Sequence, residues 1–122
     1  MNKLNEINAE PLNLNEEFLI NGIPSGIRLI EFWQWNQSNL LENRIRGILA
    51  EFIVMKALNI DEPIRYSWDA WDLETKEGLK IEVKSAAYIQ SWEQKEFSKI
   101  SFGIAPAAVT YKNKKIKSRK AD

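Results

Sequence analysis

The chain has 122 residues, room for one ordinary domain with its own core, and at 44% hydrophobic it is too apolar for a disordered polypeptide. It contains no cysteine and no histidine, which excludes disulfides, thiolate nucleophiles, Cys/His zinc sites, Ser-His-Asp triads and any nuclease with a histidine base. The net charge of zero is uneven: residues 1–111 carry eleven Lys and Arg against sixteen Asp and Glu, residues 112–122 six against one.

An acidic body with a basic tail fits either a solvated tail or an anionic partner. Hydrolysis, if the chain performs it, is left to carboxylates, lysine and a hard cation held by oxygen. No apolar run approaches the length of a membrane span and the N-terminus has no signal-peptide core, so no membrane contact and a cytoplasmic location are expected.

In chain order, the Asn-rich residues 1–15 predict an irregular lead-in, and Asn21 to Gly26 form a turn cluster. A short helix is expected over 28–36. A second should start at an Asn39 N-cap, with Glu42 as capping-box partner, and run to Leu58, stopped by Asn59. Apolar residues around most of its circumference mark it as a buried helix, and Gly47 and Ala50 leave room for a close neighbour. Beyond Pro63 the period becomes two. Trp71, Leu73 and Thr75 alternate with Asp72 and Glu74, and Leu79, Ile81 and Val83 with Lys80, Glu82 and Lys84. Residues 86–92 read as extended in preference to helical, and a further strand is expected at Ile100–Ala105. The expected class is α/β (α+β), with N-terminal helices packed on a small, mostly antiparallel sheet.

The hairpin turn is Lys76-Glu77-Gly78, a three-residue loop whose third position takes the left-handed conformation natural to glycine. That loop pairs Thr75 with Leu79, Glu74 with Lys80, Leu73 with Ile81 and Asp72 with Glu82. A two-residue loop would mix the apolar and charged faces, and the buried face fixes register. Asp72 and Glu82 then lie about 5 Å apart at Cβ, with Lys84 on the same face. Facing carboxylates repel unless a cation or a proton sits between them. A magnesium ion resolves the conflict, and Lys84 can orient or deprotonate an attacking water. The same residues also describe an ordinary solvated strand face.

Glu51 lies in an apolar sector of the second helix, between Leu58 and Met55 on the helical wheel, so its carboxylate needs a partner. Either Arg44 or Arg65 supplies a structural ion pair, or Glu51 joins the metal site. Arg46-Gly47-Ile48-Leu49-Ala50-Glu51 on a helix, then Asp72, then Ile81-Glu82-Val83-Lys84-Ser85 in a hairpin, resembles the pattern of the PD-(D/E)XK, restriction-endonuclease-like nuclease superfamily.

The resemblance covers about residues 40–105. It implies a helix, an antiparallel meander, a second helix and a further strand. It also implies Mg²⁺- or Mn²⁺-dependent hydrolysis of DNA, with Glu51, Asp72 and Glu82 on the metal and Lys84 catalytic. Trp71 stands where proline is usual. Asp69 is a rival to Asp72, but it shares parity with the apolar face. The short C-terminus looks like that of a truncated member, which implies a poor nuclease in isolation and an exposed sheet edge beside residues 100–105. A homodimer is compatible with this class, and the alternative reading is a catalytically silent member that binds nucleic acid or a protein.

Four further features are candidates for nucleic-acid contact. Gln90 falls on the active face if the strand continues, and it either positions water or phosphate or bonds between strands. Arg44 near the helix start can reach phosphate or pair at the surface. Lys112, Lys114 and Lys115 in the basic segment can touch backbone phosphates. The aromatics, including Trp33, Trp35, Trp68, Trp71 and Trp92, are expected mostly in packing, with stacking on bases as the other use.

Overall fold

The computed structural model describes residues 3–66 and 71–104, together with the backbone of Thr110–Tyr111 and Lys114–Lys115. After an irregular lead-in, β1 (Glu17–Ile20) and β2 (Ile23–Arg28) form an antiparallel hairpin. Its two-residue loop is Asn21-Gly22, both at positive φ (51° and 76°), the turn whose twist suits paired strands. The sequence marks this segment as a turn cluster but does not disclose the strands. The ladder is irregular between Glu17 and Leu19. There Gly26, at φ 80°, donates its backbone N–H to Glu17 Oε2 at 2.9 Å, a position that favours glycine.

Helix α1 (Leu29–Gln37) follows directly. Glu31 caps it by accepting the N–H of Arg28 at 2.5 Å, one half of a capping box. The N–H groups of Leu29 and Ile30 donate back to the carbonyls of Glu16 and Leu14, which ties the helix start to the lead-in. Phe32 and Trp33 pack edge to face, whereas Trp35 is 84% exposed rather than in the core.

Helix α2 (Asn43–Ala57) begins later than expected. Asn39 is not its N-cap. Glu42 is, with its side chain accepting from the N–H of Arg44 at 3.2 Å, and residues 38–42 instead form a turn in which Glu42 N–H donates to Asn39 O. The C-terminal end is as expected. Asn59 takes φ 53° and donates to Lys56 O while Ile60 donates to Met55 O, the paired bonds of a Schellman stop. A Cβ added at Gly47 would meet nothing within 4 Å, so no neighbour among the described residues makes the close approach that the small residue allowed.

The second hairpin has the expected register, Leu73 with Ile81 and Glu74 with Lys80, across β3 (Leu73–Glu74) and β4 (Lys80–Ile81). Thr75 N–H donates to Leu79 O, Gly78 N–H donates to Thr75 O, and Gly78 sits at φ 87°. The strands are far shorter than the alternating pattern suggested. Along 80–84 exposure still alternates, with Lys80, Glu82 and Lys84 outward and Ile81 and Val83 more enclosed.

Two expectations fail further on. Residues 86–92 form bends rather than a strand, braced by Gln94, whose Nε2 donates to Tyr88 O and Ser98 Oγ. Residues 100–104 carry no strand, and Phe102 and Ile104 stay exposed. They have no ladder partner among the described residues, and an apolar run does not become a strand without one. The expected sheet edge beside 100–105 is therefore absent over 100–104.

A third pair, β5 (Thr110–Tyr111) with β6 (Lys114–Lys115), lies at the start of the basic segment. The architecture is thus α+β: two helices and three separate two-stranded antiparallel pairs among the described residues, in place of one small sheet. The buried apolar side chains there are Leu29, Ile45 and Leu73, one each from α1, α2 and β3.

Candidate active site

Asp72 immediately precedes β3, and its placement ends the ladder. Its N–H donates to Ile81 O, and its Oδ2 accepts the N–H of Val83 at 2.5 Å. A side-chain oxygen thus takes a donor that a regular strand pair would give to a carbonyl. The ladder stops at Leu73–Ile81, one pair short of Asp72 opposite Glu82. Burial raises the Asp72 pKa above the ordinary aspartate value. The Val83 hydrogen bond opposes that rise, the negative charges of Glu51 and Glu82 add to it, and Arg65 opposes it. The same pattern places Glu51, Glu82 and Arg65 within electrostatic reach of Asp72.

Glu51, at the middle of α2, is only 13% exposed in its side chain. Its partner is Arg65. The guanidinium reaches Glu51 Oε2 at 2.6 Å through Nε and Oε1 at 3.1 Å through Nη2, a two-point fork on a carboxylate. This pair faces a cavity of about 290 Å³ whose walls include Ile48, Met55, Pro63 and Leu73, and Asp72 opens onto the same space. The helix carboxylate and the hairpin carboxylate therefore line one cavity, and Glu51 has the ion pair with Arg65 that is one of its two expected roles. Sequence reasoning identifies Arg65 only as a structural partner. That the α2 glutamate needs a cation is legible, but the path of residues 58–66 that delivers one is not.

Glu82 and Lys84 lie next along the hairpin. Lys84 Nζ stands 3.4 Å from Glu82 Oε1, with both side chains substantially solvated. Lys80 Nζ lies 4.1 Å over the Trp71 ring, so Trp71 is reached from the charged side rather than lying wholly with Leu73.

The remaining candidates have local partners. Gln90 Oε1 accepts from Arg46 Nη1 at 3.1 Å, and its Nε2 donates to Ala87 O at 3.0 Å. Gln90 thus braces its loop against α2 rather than extending a strand. Arg44 Nη2 lies 3.9 Å from Glu42, both well exposed. Trp68, Asp69, Ala105 and Lys112, and the side chains of Lys114 and Lys115, lie outside the described residues.

The donor set is one a hard cation takes: oxygen only, on carboxylates gathered at one cavity and the strand beside it. As they stand, each carboxylate is engaged by the protein, Glu51 by Arg65, Asp72 by Val83 and Glu82 by Lys84. No three described acidic residues close on a common point. Oxygen donors of this kind are those a divalent ion takes, and each of them already has a protein contact.

No curated protein and no solved structure matches the chain. A family model does, over residues 3–122, a span that takes in Glu51, Asp72, Glu82 and Lys84 alike. On that match across nearly the whole sequence, the chain belongs to the bacteriophage T4 endonuclease IV family.

Proposed function

We propose that the protein is a divalent-cation-dependent DNA endonuclease of the PD-(D/E)XK kind. Membership of an endonuclease family supports DNA cleavage. The single observation that carries the site assignment is the convergence of Glu51 and Asp72 on one cavity, where burial raises the pKa of Asp72 and the charges of Glu51 and Glu82 add to the rise. Negative charge is concentrated where burial makes it unfavourable, and such perturbed groups gather at functional sites.

Asp72 and Glu82 would hold the ion, with Glu51 as a third oxygen donor. When bound, the ion supplies charge neutralisation and Lewis acidity at a phosphoryl oxygen. The Asp72 carboxylate is oriented by Val83 N–H, which fixes one of its two oxygens. Lys84 holds its ammonium beside Glu82 in the solvated part of the site, where a water approaching a backbone phosphate would arrive. It orients that water and offsets charge on the phosphate as the water oxygen attacks phosphorus and the bond to the leaving sugar oxygen breaks.

The test is a Mg²⁺ and Mn²⁺ titration by calorimetry on wild type and Glu82→Ala, paired with cleavage of plasmid and branched DNA with and without EDTA. Binding and cleavage in wild type, both lost in Glu82→Ala, are expected. Cleavage that survives EDTA, or metal binding equal in both proteins, would overturn the reading. DNA binding without cleavage would leave a silent member of the family.

A further inference from the structure

We propose that Arg65 is an internal counter-ion that occupies Glu51 in the resting site, and that a divalent cation must displace it, so that Arg65 sets the threshold for metal loading. The inference rests on the cation-dependent reading above and adds to it a residue outside the Glu51, Asp72, Glu82 and Lys84 set.

Three features of the pair carry it. Arg65 engages both oxygens of Glu51, at 2.6 and 3.1 Å, so a cation that takes either oxygen does so against a guanidinium already in contact. The two members also differ in exposure. The Glu51 side chain is 13% exposed and is held on a helix, whereas that of Arg65 is 42% exposed on the segment after α2. Glu51 is thus the enclosed member of the pair and Arg65 the one nearer water, where a long cationic side chain keeps its charged head. Finally, the pair opens onto the cavity that Asp72 shares. There Arg65 and Lys56 stand among three carboxylates, Glu51, Glu62 and Asp72, and a divalent ion brings twice the charge of the guanidinium it replaces. The exchange replaces an incomplete neutralisation by a fuller one, at the cost of a well-made fork.

Competition makes a specific demand on affinity. Breaking the fork in advance should tighten metal binding, and only while Glu51 is present to receive the ion. Mn²⁺ binding would be measured by calorimetry and by metal-induced shift of the melting temperature, on the full chain. The set comprises wild type, Arg65→Gln, Arg65→Lys, Glu51→Gln and the double variant. Arg65→Gln is expected to bind Mn²⁺ about tenfold more tightly, within the usual span of couplings between two binding events. In the Glu51→Gln background the same change should alter affinity less than about twofold. Arg65→Lys keeps the charge but loses the fork, and should lie between wild type and Arg65→Gln.

Unchanged or weaker binding in Arg65→Gln would overturn the proposal, since Arg65 would then be building the site. An equal gain in the Glu51→Gln background would also overturn it, since the effect would be one of charge alone. If Arg65→Gln proves too unstable to titrate, Arg65→Lys decides, and the absence of any gain counts against the idea. Failure of wild type and every variant to bind Mn²⁺ removes the cation-dependent function itself. Wild-type binding with no response to Arg65 removes only this inference.

Discussion

The Asp72 carboxylate accepts the backbone N–H of Val83 across the hairpin, so the residue proposed above to hold a cation is also the residue that closes the strand pair. These two duties separate under substitution. Asp72→Asn would keep an oxygen for Val83 N–H and lose the charge, whereas Asp72→Ala would lose both. Asp72→Ala should cost about 1–3 kcal/mol, the usual penalty for leaving a part-buried donor without its partner. Asp72→Asn should melt at or above the wild-type temperature in EDTA at pH 7, while cleavage is abolished. Thermal denaturation of wild type and both variants in chelator checks this, and equal destabilisation by both substitutions would show that the charge is not opposed.

The raised pKa of Asp72 fixes a direction of pH dependence. The folded state holds this proton more tightly than the unfolded state does. Stability from this group is therefore greatest below the unfolded value of about 3.9 and falls as pH rises through the raised folded value. In metal-free buffer, wild type should lose stability relative to Asp72→Asn over that interval, with no further divergence above it. Urea titrations at steps from about pH 3.5 to 7, spanning both values, measure the difference. A wild type that gains on the variant as pH rises would contradict the assignment of burial as the leading cause.

Lys84 offers a clean separation of chemistry from folding. Its contact with Glu82 is 3.4 Å and solvated on both sides, a class of ion pair that contributes less than about 1 kcal/mol. Lys84→Ala should leave the melting temperature within about 3 °C of wild type and Mn²⁺ affinity near its wild-type value. Metal-dependent cleavage should fall by about 100-fold or more, as for loss of a positioned proton-handling or charge-stabilising group. An active Lys84→Ala would move the catalytic cation elsewhere, with Arg65 the first candidate.

What is legible in the sequence is local and periodic. Register in β3 and β4 follows from the alternation of Leu73 and Ile81 with charged neighbours and from one glycine able to take φ 87°. The stop at Asn59 follows from the same backbone logic. The Asp72–Val83 bond is not legible, because a side chain that replaces a ladder acceptor leaves the alternation unchanged. Residues 100–104 mislead for the reverse reason: their apolar run is strand-like, but pairing depends on a partner that periodicity does not encode. The start of α2 is ambiguous because Glu42 suits both roles, third residue of a box or cap in its own right. At the site, the need of Glu51 for a cation is readable from its apolar neighbours. The choice of Arg65 depends on the fold of the chain after α2.

Gln90 distinguishes a nucleic-acid contact from a structural brace. Its side chain accepts from Arg46 Nη1 and donates to Ala87 O, while its own N–H donates to Gln94 Oε1 at 2.8 Å. Arg46 also donates to Asn43 Oδ1 at 2.8 Å, and its Nε is already buried without a partner among the described residues. Gln90→Ala would therefore strip a second nitrogen of Arg46 of its acceptor and release the 87–98 loop from α2. The expected cost is about 1–3 kcal/mol, seen as a melting temperature lower by about 5 °C or more. DNA affinity should keep its dependence on salt, because no phosphate contact is lost. Lys114→Ala or Lys115→Ala should behave oppositely if the basic segment touches the backbone: stability unchanged, and the salt slope reduced by about one for each. Fluorescence anisotropy with labelled DNA at about 50 to 200 mM salt, alongside thermal melts, reads both quantities. A Gln90→Ala protein that melts like wild type but binds DNA with a shallower salt slope would return Gln90 to the nucleic-acid interface.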